Sequence, residues 1–494
     1  MSKLFLHMKS KKLSDLMADL GECVQDTKIT GVVDDTRLLQ AGDAFLCLPR
    51  VQDVQTRIQE AVAKKASAII FIGEHSEVTS TATLMATAWL PNMDATGVFL
   101  RRWFETEQCT LPCIGITGTD GKTSTAWMLR EVLALHLGTA WSCGTLGLVR
   151  GADDIEDLGN TTPSLLTLHT LLALAVQENV GALVLEVSSH GIAQERIQGI
   201  PFTTAVWTTI GHDHLEDHGG FTPYLNTKSS FVRSVAEANG SVVANADYTD
   251  IQTCLADVSG QIFWYAQHKQ ADMLWTRVQK NITLTDQREE VVLASMPVAD
   301  FHAENLAAVA LVMKEVFNVP LSTLLNFDGQ ISTPVGRLEP VDAENQVFID
   351  YAHTAEGLTR CLQSAKALKP RHLLLVFGCG GDRDKSKRPA MGAVAEQYAD
   401  ECWLTSDNPR SEKQADIAAD VLKGMTGSRD KVHLFEDRAM AIEQAVHAVG
   451  LKDVLVIAGK GHELYMEIKG ERLPWSDKAS AIKALQKRGV KQCA

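Results

Sequence analysis

The 494-residue sequence lacks the features that identify secreted, membrane-spanning and cysteine–zinc proteins. Its ten cysteines are scattered and form no Cys-x-x-Cys pair, which argues against a disulfide framework or a zinc site. No apolar run reaches the roughly 18 residues of a transmembrane helix, and the N-terminal residues contain no apolar core of signal-peptide length. These absences predict a cytoplasmic protein that is not inserted into a membrane.

Positive charge is also in short supply. The 47 Lys and Arg residues face 61 Asp and Glu residues, which gives a formal net charge of −14. A nucleic-acid-binding protein needs a basic surface that displaces counterions, so this balance argues against a nucleic-acid partner. An anionic substrate must be held by local groups of Arg, Lys and backbone N–H, because the overall field repels it.

The length and the pattern of apolar runs predict three α/β domains, which we place at residues 1–108, 109–333 and 334–494. Apolar runs that alternate with helical patterns are typical of mostly parallel sheets covered by helices. Ligands bind at the carboxyl ends of such strands, so the four loops that follow strands of the last domain are candidates for a site. The runs lie at 44–48, 68–72, 113–117, 182–187, 204–208, 347–349, 372–377, 401–405 and 453–458.

The strongest motif is the stretch Gly-Ile-Thr-Gly-Thr-Asp-Gly-Lys-Thr-Ser at 115–124, before a helix predicted from 123 to about 137. Its glycines allow consecutive N–H groups to turn towards a phosphate, and the helix N-terminus adds positive charge. Lys122 can bridge terminal phosphates, and the Thr123 hydroxyl can bind Mg²⁺. A glycine-rich turn that merely contains lysine is the alternative, but Gly-Lys-Thr opening a helix after a buried strand favours phosphate binding.

Two groups of side chains in the same domain are candidate metal ligands. Glu186 ends an apolar run, where a carboxylate suits Mg²⁺; a glutamate in a surface ion pair is the alternative. His212, Asp213 and His214 form a second cluster. Alone it fits zinc, but phosphate chemistry in this domain favours Mg²⁺.

A helix that carries Lys228 is predicted to begin with Thr222 as its N-cap and Pro223 as its first residue. A single helical lysine is usually a solvated charge. Spacing alone therefore assigns Lys228 no role.

Taken together, these motifs resemble those of the Mur ligases, which build the peptide stem of peptidoglycan. The central domain of that family is similar in four places: the glycine-rich stretch at 115–124, which we call the phosphate loop, residues 186–190, His214 and Lys228. The start of the chain, with Asp-Thr-Arg at 35–37, resembles its uridine-nucleotide-binding region. Further matching segments lie at 42–43, 336–337, 350–354, 380–385, 407–410 and 459–463.

The resemblance implies a small N-terminal α/β UDP-binding domain, a central P-loop-type ATPase domain with a mostly parallel sheet, and a C-terminal Rossmann-like α/β domain. It implies a cytoplasmic, monomeric ligase of peptidoglycan precursor synthesis, with ATP as co-substrate and Mg²⁺ as cofactor. The enzyme would add meso-2,6-diaminopimelate to UDP-N-acetylmuramoyl-L-alanyl-D-glutamate through an acyl phosphate. The alternatives are a folylpolyglutamate synthase-like ligase, a lysine-adding Mur ligase, a P-loop NTPase switch and an inactive binding module.

The resemblance also implies roles for individual residues. The catalytic and metal-binding set is Lys122, Thr123, Glu186, His214 and Lys228, the last as N6-carboxylysine. The implied ATP contacts are Gly118, Thr119, Asp120, Gly121, Lys122, Thr123, Ser124, Asn305, Arg337, Asp350 and His353. The implied contacts of the UDP-linked substrate are Thr36, Arg37, Thr161, Thr162, Ser188, Gln194, Arg196 and Lys228.

A diaminopimelate pocket can also be argued from charge, because this amino acid carries a carboxylate that lysine lacks. Arginine binds carboxylates bidentately, so we expect Arg410 and Asn408 to grip one and Glu463 to accept an ammonium. An ordinary Asn-Pro turn is the alternative. The implied set is Arg383, Asp407, Asn408, Arg410, Gly459 and Glu463.

The acyl phosphate must be shielded from water, so we expect the last domain to close over the central one about a hinge near 332–334. The sequence departs from the family pattern at four places. Thr36 replaces serine, Asp120 replaces asparagine, His302 replaces the asparagine that usually follows phenylalanine, and the stretch 51–58 lacks its usual Gly-His-rich form.

Overall fold

The computed structural model describes residues 6, 8–49, 53–73, 85–151, 154–211, 215–278, 281–294, 300–341, 347–383, 385–427 and 429–492. The chain divides into two compact units, Met1–Trp264 and Tyr265–Ala494. The domain boundaries expected at 108/109 and 333/334 fall inside these units and remain predictions. Within the described ranges no helix is long and apolar enough to cross a membrane, and the nine cysteines there are free thiols.

The first unit begins with a five-stranded sheet in the order β2-β7-β6-β5-β4, parallel except for β2. Ala44 and Leu46 of β5 pack into one apolar core, whereas Phe45 and Cys47 pack into another. Side chains of a strand alternate between faces, so both faces of this sheet are covered. Strands β1–β7 are Lys11–Lys12, Glu22–Cys23, Lys28–Ile29, Val32–Val33, Ala44–Cys47, Ala68–Ile72 and Ala86–Leu90, and helices α1–α3 are Leu13–Met17, Val54–Ala63 and Met93–Trp103.

A second sheet of the first unit runs in the order β11-β10-β9-β12-β8-β13-β14. Its strands from β9 to β14 in this order are parallel, so the carboxyl ends of β8, β12 and β13 meet at one edge. Strands β8–β14 are Cys113–Thr117, Trp141–Gly144, Gly147–Gly151, Asp154–Glu156, Leu183–Glu186, Phe202–Trp207 and Ser241–Asn245. Helices α4–α9 are Lys122–Leu137, Leu165–Gln177, Ser189–Ala193, Leu215–His218, Phe221–Glu237 and Thr249–Leu255.

In the second unit, β16 pairs in parallel with β15 and antiparallel with β17, and β18 follows antiparallel. A six-stranded sheet has the order β19-β20-β24-β21-β22-β23, in which all pairs except β19/β20 are parallel. Strands β15–β26 are Gln261–Ala266, Met273–Val278, Asn281–Thr285, Glu290–Leu293, Glu339–Pro340, Val347–Asp350, Leu373–Phe377, Glu401–Leu404, Val432–Leu434, Val454–Ala458, Tyr465–Ile468 and Glu471–Pro474. Helices α10–α15 are Asp300–Glu315, Ala355–Ala367, Lys387–Tyr398, Gln414–Leu422, Arg438–Ala448 and Asp477–Gln492.

The structure confirms a strand at each of the nine predicted apolar runs and a helix after the glycine-rich turn. The predicted start of α8 is wrong. The helix begins at Phe221 after Gly220, so Thr222 and Pro223 lie inside its first turn. Proline is tolerated there because first-turn N–H groups have no partner within the helix.

The two sheets of the first unit are joined through a close glycine–glycine contact. A Cβ atom built on Gly97 of α3 would lie 2.6 Å from the Cα of Gly199. Nearby, Gln198 donates a hydrogen bond to Asp94. Leu165 of α5 packs in the apolar core of the N-terminal sheet, so the junction is apolar as well as close.

We expect Gly97→Ala to lower the melting temperature, because its methyl group would meet backbone that cannot turn away. Overpacking of this kind costs about 1–3 kcal/mol. Gly260→Ala is the matched control, since its Cβ would meet no atom closer than 3.5 Å. Differential scanning calorimetry of both variants tests this, and equal melting temperatures would contradict it.

Candidate functional site

The glycine-rich phosphate loop between β8 and α4 is held by residues that follow β13. Thr119 N donates to Thr209 O at 3.0 Å, and Asp120 N donates to Thr209 Oγ1 at 2.8 Å. The Thr208 hydroxyl donates to Asp120 O at 2.5 Å. A Cβ on Gly118, whose φ is +151°, would lie 2.0 Å from Thr208 Oγ1. Any residue with a side chain at position 118 would therefore clash with Thr208, and only glycine fits there.

Lys122 is the first residue of α4 and lies over the loop that precedes it. Its Nζ donates to Gly118 O at 2.7 Å and to Thr119 O at 2.8 Å. Gly121 before it has a φ of +85°. The ammonium is thus held beside a helix N-terminus, where the oxygens of a phosphate can replace these carbonyls as acceptors.

Glu186 ends β12 and is only 3% exposed, so it is not a surface ion-pair residue. Thr123 Oγ1 donates to its Oε2 at 3.0 Å. The Thr145 backbone N–H and hydroxyl donate to its Oε1 and Oε2, both at 3.0 Å. A Cβ on Gly144 would lie 2.0 Å from Oε1. The carboxylate is therefore fixed in one position by α4 and by the end of β9.

The hydroxyl of Thr123 and the carboxylate of Glu186 could hold a metal ion. Both are hard oxygen ligands of the kind that Mg²⁺ prefers, and Thr123 directly follows the phosphate loop. In the part of the chain that the structure describes, no three His, Cys, Asp or Glu side chains form a metal cluster. His212, Asp213 and His214 lie outside the described residues, so the role expected of His214 remains a prediction.

Lys228 of α8 is brought to the phosphate loop, a placement that its spacing did not indicate. The side chain is 1% exposed, and its Nζ donates to Gly118 O at 2.9 Å. The same nitrogen lies 4.6 Å from the ring centroid of Tyr224, whose hydroxyl is 3.0 Å from Thr119 Oγ1. One helix therefore supports the loop with both an amine and a phenol.

Three residues expected to bind the UDP-linked substrate surround Glu186. Thr162 Oγ1 donates to the Glu186 carbonyl at 2.9 Å and accepts from Ser188 N at 2.9 Å. The Thr161 and Thr145 hydroxyls are 3.1 Å apart. These groups form a hydroxyl surface beside Glu186. Thr161 reaches the carboxylate through Thr145, whereas Thr162 and Ser188 lie at the backbone carbonyl.

Gln194 and Arg196 line a cavity of about 200 Å³ in the first unit, together with Leu48, Met93 and Ser164. Arg196 Nη1 donates to Thr162 O at 2.8 Å, which links the cavity to the hydroxyl surface beside Glu186. The cavity lies where α3, α5 and the loop after β5 approach the segment after α6. Glu195 also lines this mainly apolar pocket, so its polar edge carries both signs of charge and suits an organic ligand.

Thr36 and Arg37 follow β4 and differ in their surroundings. The Thr36 hydroxyl is buried and lies 2.5 Å from Glu60 Oε2 and 3.1 Å from Arg57 Nη1. Arg37 is 80% exposed and pairs with Asp35 at 2.6 Å. Thr36 is therefore buried beside the half-exposed Arg57–Glu60 ion pair, whereas the Arg37 side chain faces solvent.

In the second unit, Asp350 ends β20 and holds the turn that contains Arg337. Its two carboxylate oxygens accept from Leu338 N and Ala352 N, each at 2.7 Å. Burial raises its pKa, while Arg337 opposes that shift. The Arg337 guanidinium lies 5.0 Å from the Tyr351 ring centroid, and the exposed His353 bonds Tyr351 O at 2.9 Å. Both carboxylate oxygens of Asp350 are therefore occupied by backbone donors, and they hold the turn next to Arg337.

Asn305 and His302 lie on one face of α10 and are almost completely buried. Both amide atoms of Asn305 lack a hydrogen-bond partner within the described ranges. Burial, with Arg277 nearby, lowers the pKa of His302 to about 3, so its ring is neutral. Unpaired buried amides are rare in proteins, so this face of α10 is a candidate for binding a polar ligand.

The loops after β22 and β24 converge at one edge of the six-stranded sheet. Asn408 Nδ2 donates to Glu463 Oε2 at 2.8 Å. A Cβ on Gly459, whose φ is +114°, would lie 2.5 Å from Asp407 Oδ2. The sequence-predicted set Asp407, Asn408, Gly459 and Glu463 is thus gathered into one cluster.

Arg410 adjoins this cluster, and two nitrogens of its guanidinium are held by hydrogen bonds. Its Nε donates to Glu467 Oε2 at 3.1 Å and its Nη1 to Gly381 O at 2.8 Å. These contacts use Nε and Nη1, and no described residue accepts a hydrogen bond from Nη2. Arg383 is exposed and lies near Gly380, beside Arg410.

The sequence reasoning missed the residues that hold these groups in place. They are Gly144, Thr145, Thr208, Thr209 and Lys460. The hydroxyl residues belong to no motif, and only the order of strands in the sheet brings them to the phosphate loop and Glu186. Only Lys460 could have been suspected, because in the sequence it lies between Gly459 and Glu463, which were both assigned to the amino-acid pocket.

Comparison with known families gives two matches. Residues 116–313 match the Mur ligase middle domain. Residues 336–461 match the Mur ligase glutamate ligase domain. The first match contains the phosphate loop, Glu186 and Lys228, and the second contains the 407–410 loop.

Curated relatives and solved structures extend the likeness over most of the chain. UDP-N-acetylmuramoyl-L-alanyl-D-glutamate–2,6-diaminopimelate ligases from Acidovorax sp. (strain JS42) and Pseudomonas aeruginosa are each 34% identical. The matched regions cover 94% and 93% of this chain, respectively, and 96% of each relative. A solved structure of a ligase with that name has a TM-score of 0.69 at 26% identity, covering 97% of this chain and all of its own. Mycobacterium tuberculosis folylpolyglutamate synthase, at 18% identity and a TM-score of 0.58, shares the fold over 78% of this chain and 93% of its own.

We expect Gly144→Ala to weaken Mg²⁺ binding about tenfold, because the new methyl group must displace the Glu186 carboxylate. Gly151→Ala, in the adjacent strand β10, is the control because its Cβ would meet no atom within 4 Å. Isothermal titration of ATP with and without Mg²⁺ measures the effect. An unchanged dependence on Mg²⁺ in Gly144→Ala would show that Glu186 does not bind the ion.

Proposed function

The chain belongs to the Mur ligase family, and we propose that it joins meso-diaminopimelate to UDP-N-acetylmuramoyl-L-alanyl-D-glutamate at the expense of ATP. The relatives that carry this activity in their names are 31–35% identical over more than nine tenths of the chain. The observation that carries the choice of amino acid is the convergence of Asn408, Arg410 and Glu463 at one sheet edge.

The chemistry of this edge favours diaminopimelate over lysine. Diaminopimelate has a carboxylate and an ammonium at each end, whereas lysine lacks the distal carboxylate. Arg410 offers a planar guanidinium with a free nitrogen for that carboxylate, Asn408 offers a polar amide, and Glu463 offers an acceptor for an ammonium. A lysine ligand would offer no carboxylate to the remaining nitrogen of Arg410 and would lose that charged hydrogen bond, which costs affinity.

In the first step, the γ-carboxylate of the D-glutamyl residue attacks the γ-phosphate of ATP in line. An O–P bond forms, the bond to ADP breaks, and the product is an acyl phosphate. The protein supplies position and charge compensation in such transfers. We assign the phosphates to the loop at 118–123, with Lys122 as the cation that follows the moving charge, and the hydroxyl surface of Thr161, Thr162 and Ser188 to the acceptor substrate.

Mg²⁺ would be held by Thr123, Glu186 and, from the family resemblance, His214 and the modified Lys228, and it would neutralise charge on the phosphates when bound. We further propose that the Lys228 amine reacts with CO₂ to form a carbamate, with loss of one proton. The support is its burial against the phosphate loop, where a carboxylate on a long arm reaches the ATP site.

In the second step, the amine of diaminopimelate attacks the carbonyl carbon of the acyl phosphate. The tetrahedral intermediate expels phosphate, the amine loses a proton, and an amide remains. Residues Asn305, Arg337 and His353 are assigned to the nucleotide, with the unpaired Asn305 amide as the polar group for its base. We place the reaction in the cytoplasm, where ATP and nucleotide-linked sugars are available, and expect a monomer.

A folylpolyglutamate synthase-like activity is the nearest alternative. The solved synthase shares the fold with 78% of this chain. This alternative leaves Glu463 without a cation from the ligand, because the one amine of glutamate is the nucleophile, whereas diaminopimelate has a second ammonium. It is therefore less well supported than diaminopimelate addition.

We predict phosphate release that requires ATP, UDP-N-acetylmuramoyl-L-alanyl-D-glutamate and diaminopimelate together. Lysine should support turnover about 100-fold less efficiently, because it lacks the carboxylate that would bind Arg410. A coupled phosphate-release assay with each amino acid measures kcat/KM. Equal efficiency with lysine would contradict the assignment of the pocket.

Arg410→Lys tests the same assignment from the protein side. It should raise the KM for diaminopimelate about tenfold, because an ammonium cannot keep the contacts with Glu467 and Gly381 and also reach the ligand carboxylate as the guanidinium fork does. Arg488→Lys in α15 is the matched control, since its described contact is with the Val446 carbonyl. An unchanged KM in Arg410→Lys would remove this arginine from the pocket.

We predict that Lys228→Ala loses activity and partly regains it with added acetate or another short-chain acid. The added carboxylate would occupy the space of the proposed carbamate. Arg233→Ala, which removes a surface cation from the same helix, should retain its activity, and added acid should not change that activity. Full activity in Lys228→Ala without any acid would disprove the carbamate.

A further inference from the structure

The loop after β24 contains a lysine that the proposed reaction does not use. Lys460 is completely buried. Its Nζ donates to Asn408 Oδ1 at 2.9 Å and to Glu463 Oε2 at 3.0 Å, and it lies 3.8 Å from Asp407 Oδ1. A buried ammonium must be paired and hydrogen-bonded, and its acceptors here are all residues of the amino-acid pocket.

Lys460 and the backbone N–H of Glu467 together determine which way the Asn408 amide points. Asn408 Oδ1 accepts from Lys460 Nζ and also from Glu467 N at 2.9 Å. If the amide were reversed, its NH₂ group would face an ammonium and a backbone N–H, with three donors and no acceptor. The oxygen must therefore face Lys460, and the NH₂ group must face Glu463.

The same contacts divide the two oxygens of Glu463 between different tasks. Oε2 accepts from both Lys460 Nζ and Asn408 Nδ2. No described residue donates to Oε1, and the side chain is 18% exposed. One oxygen is thus used within the protein, and the other remains for a cation from outside.

We propose that Lys460 is a positioning residue of the amino-acid pocket: it fixes the Asn408 amide and turns Glu463 so that Oε1 receives the ammonium of the incoming amino acid. This inference rests on the proposed function. It assigns Lys460 no contact with substrate, because its hydrogen bonds reach Asn408 and Glu463. The ammonium also balances part of the negative charge of Asp407 and Glu463, which would otherwise repel each other.

The test is Lys460→Met, which keeps the length of the side chain and removes its charge. The KM for diaminopimelate should rise about 10- to 100-fold, because the hydrogen bonds of a charged group are lost. The KM for ATP and for the UDP-linked substrate should stay unchanged, and so should kcat at saturating diaminopimelate. Lys487→Met, which removes a surface lysine paired with Glu443 in the same unit, is the matched control.

A double-mutant cycle with Asn408→Ala separates positioning from a general structural effect. If Lys460 acts through Asn408, Lys460→Met should cost much less in the Asn408→Ala background than in the wild type. If the two substitutions together raised the KM by the product of their separate factors, they would act independently and the proposal would be overturned. Equal increases in the KM of all three substrates would also overturn it, because they would indicate a general structural defect.

Lys460→Gln provides a second variant, because it is neutral but retains a donor. If both variants fail to fold, as judged by circular dichroism and melting temperature, the lysine serves the fold and the proposal is overturned. Wild-type enzyme that releases no phosphate with diaminopimelate would instead overturn the proposed function. Active wild type with an unaffected Lys460→Met would overturn the positioning role alone.

Discussion

A buried carboxylate needs donors for its oxygens, and Glu186 finds them on a helix and on a neighbouring strand end. Thr123 belongs to the helix that opens with the phosphate loop, and Thr145 belongs to the turn after β9. The carboxylate therefore connects the loop to its sheet, and Gly144 supplies the space that it occupies. The hydroxyl surface around Thr162 and the support from Lys228 are arranged around this point, so the geometry of the first unit depends on it.

The negative net charge makes local cations more important, and the structure holds several of them, buried or half-buried, against oxygen atoms. Lys122 and Lys228 both donate to the Gly118 carbonyl. In the second unit, Arg438 pairs with Asp477 and donates to the Ser406 and Ala458 carbonyls, which directly precede the two pocket loops. Cations paired with oxygen atoms in this way add little to the electrostatic field around the whole protein. They act locally, where a ligand or a loop is held.

The sequence was sufficient for features that are contiguous in the chain. The strands, the glycine-rich turn and the helix after it follow from local pattern, since apolar periodicity and Gly-Lys-Thr are properties of neighbouring residues. Thr145 and Thr208 could not be found in this way, because only the pairing of β9 with β12 brings Thr145 to Glu186, and only the pairing of β13 with β8 brings Thr208 to the loop. The start of α8 was misjudged because Thr-Pro fits an N-cap and also fits the first turn of a helix.

Arg410 shows how the second unit accepts backbone strain to present a guanidinium. Its φ of +52° lies in the left-handed region, which costs a residue with a Cβ about 1 kcal/mol. Glycine would remove that cost but would also remove the side chain. Two backbone hydrogen bonds, from Arg410 N to Glu467 O and from Lys469 N to Arg410 O, hold the conformation. Because Glu467 also accepts from the Arg410 side chain, the residues that enforce the strained backbone also aim the guanidinium, and a change in either contact would disturb both.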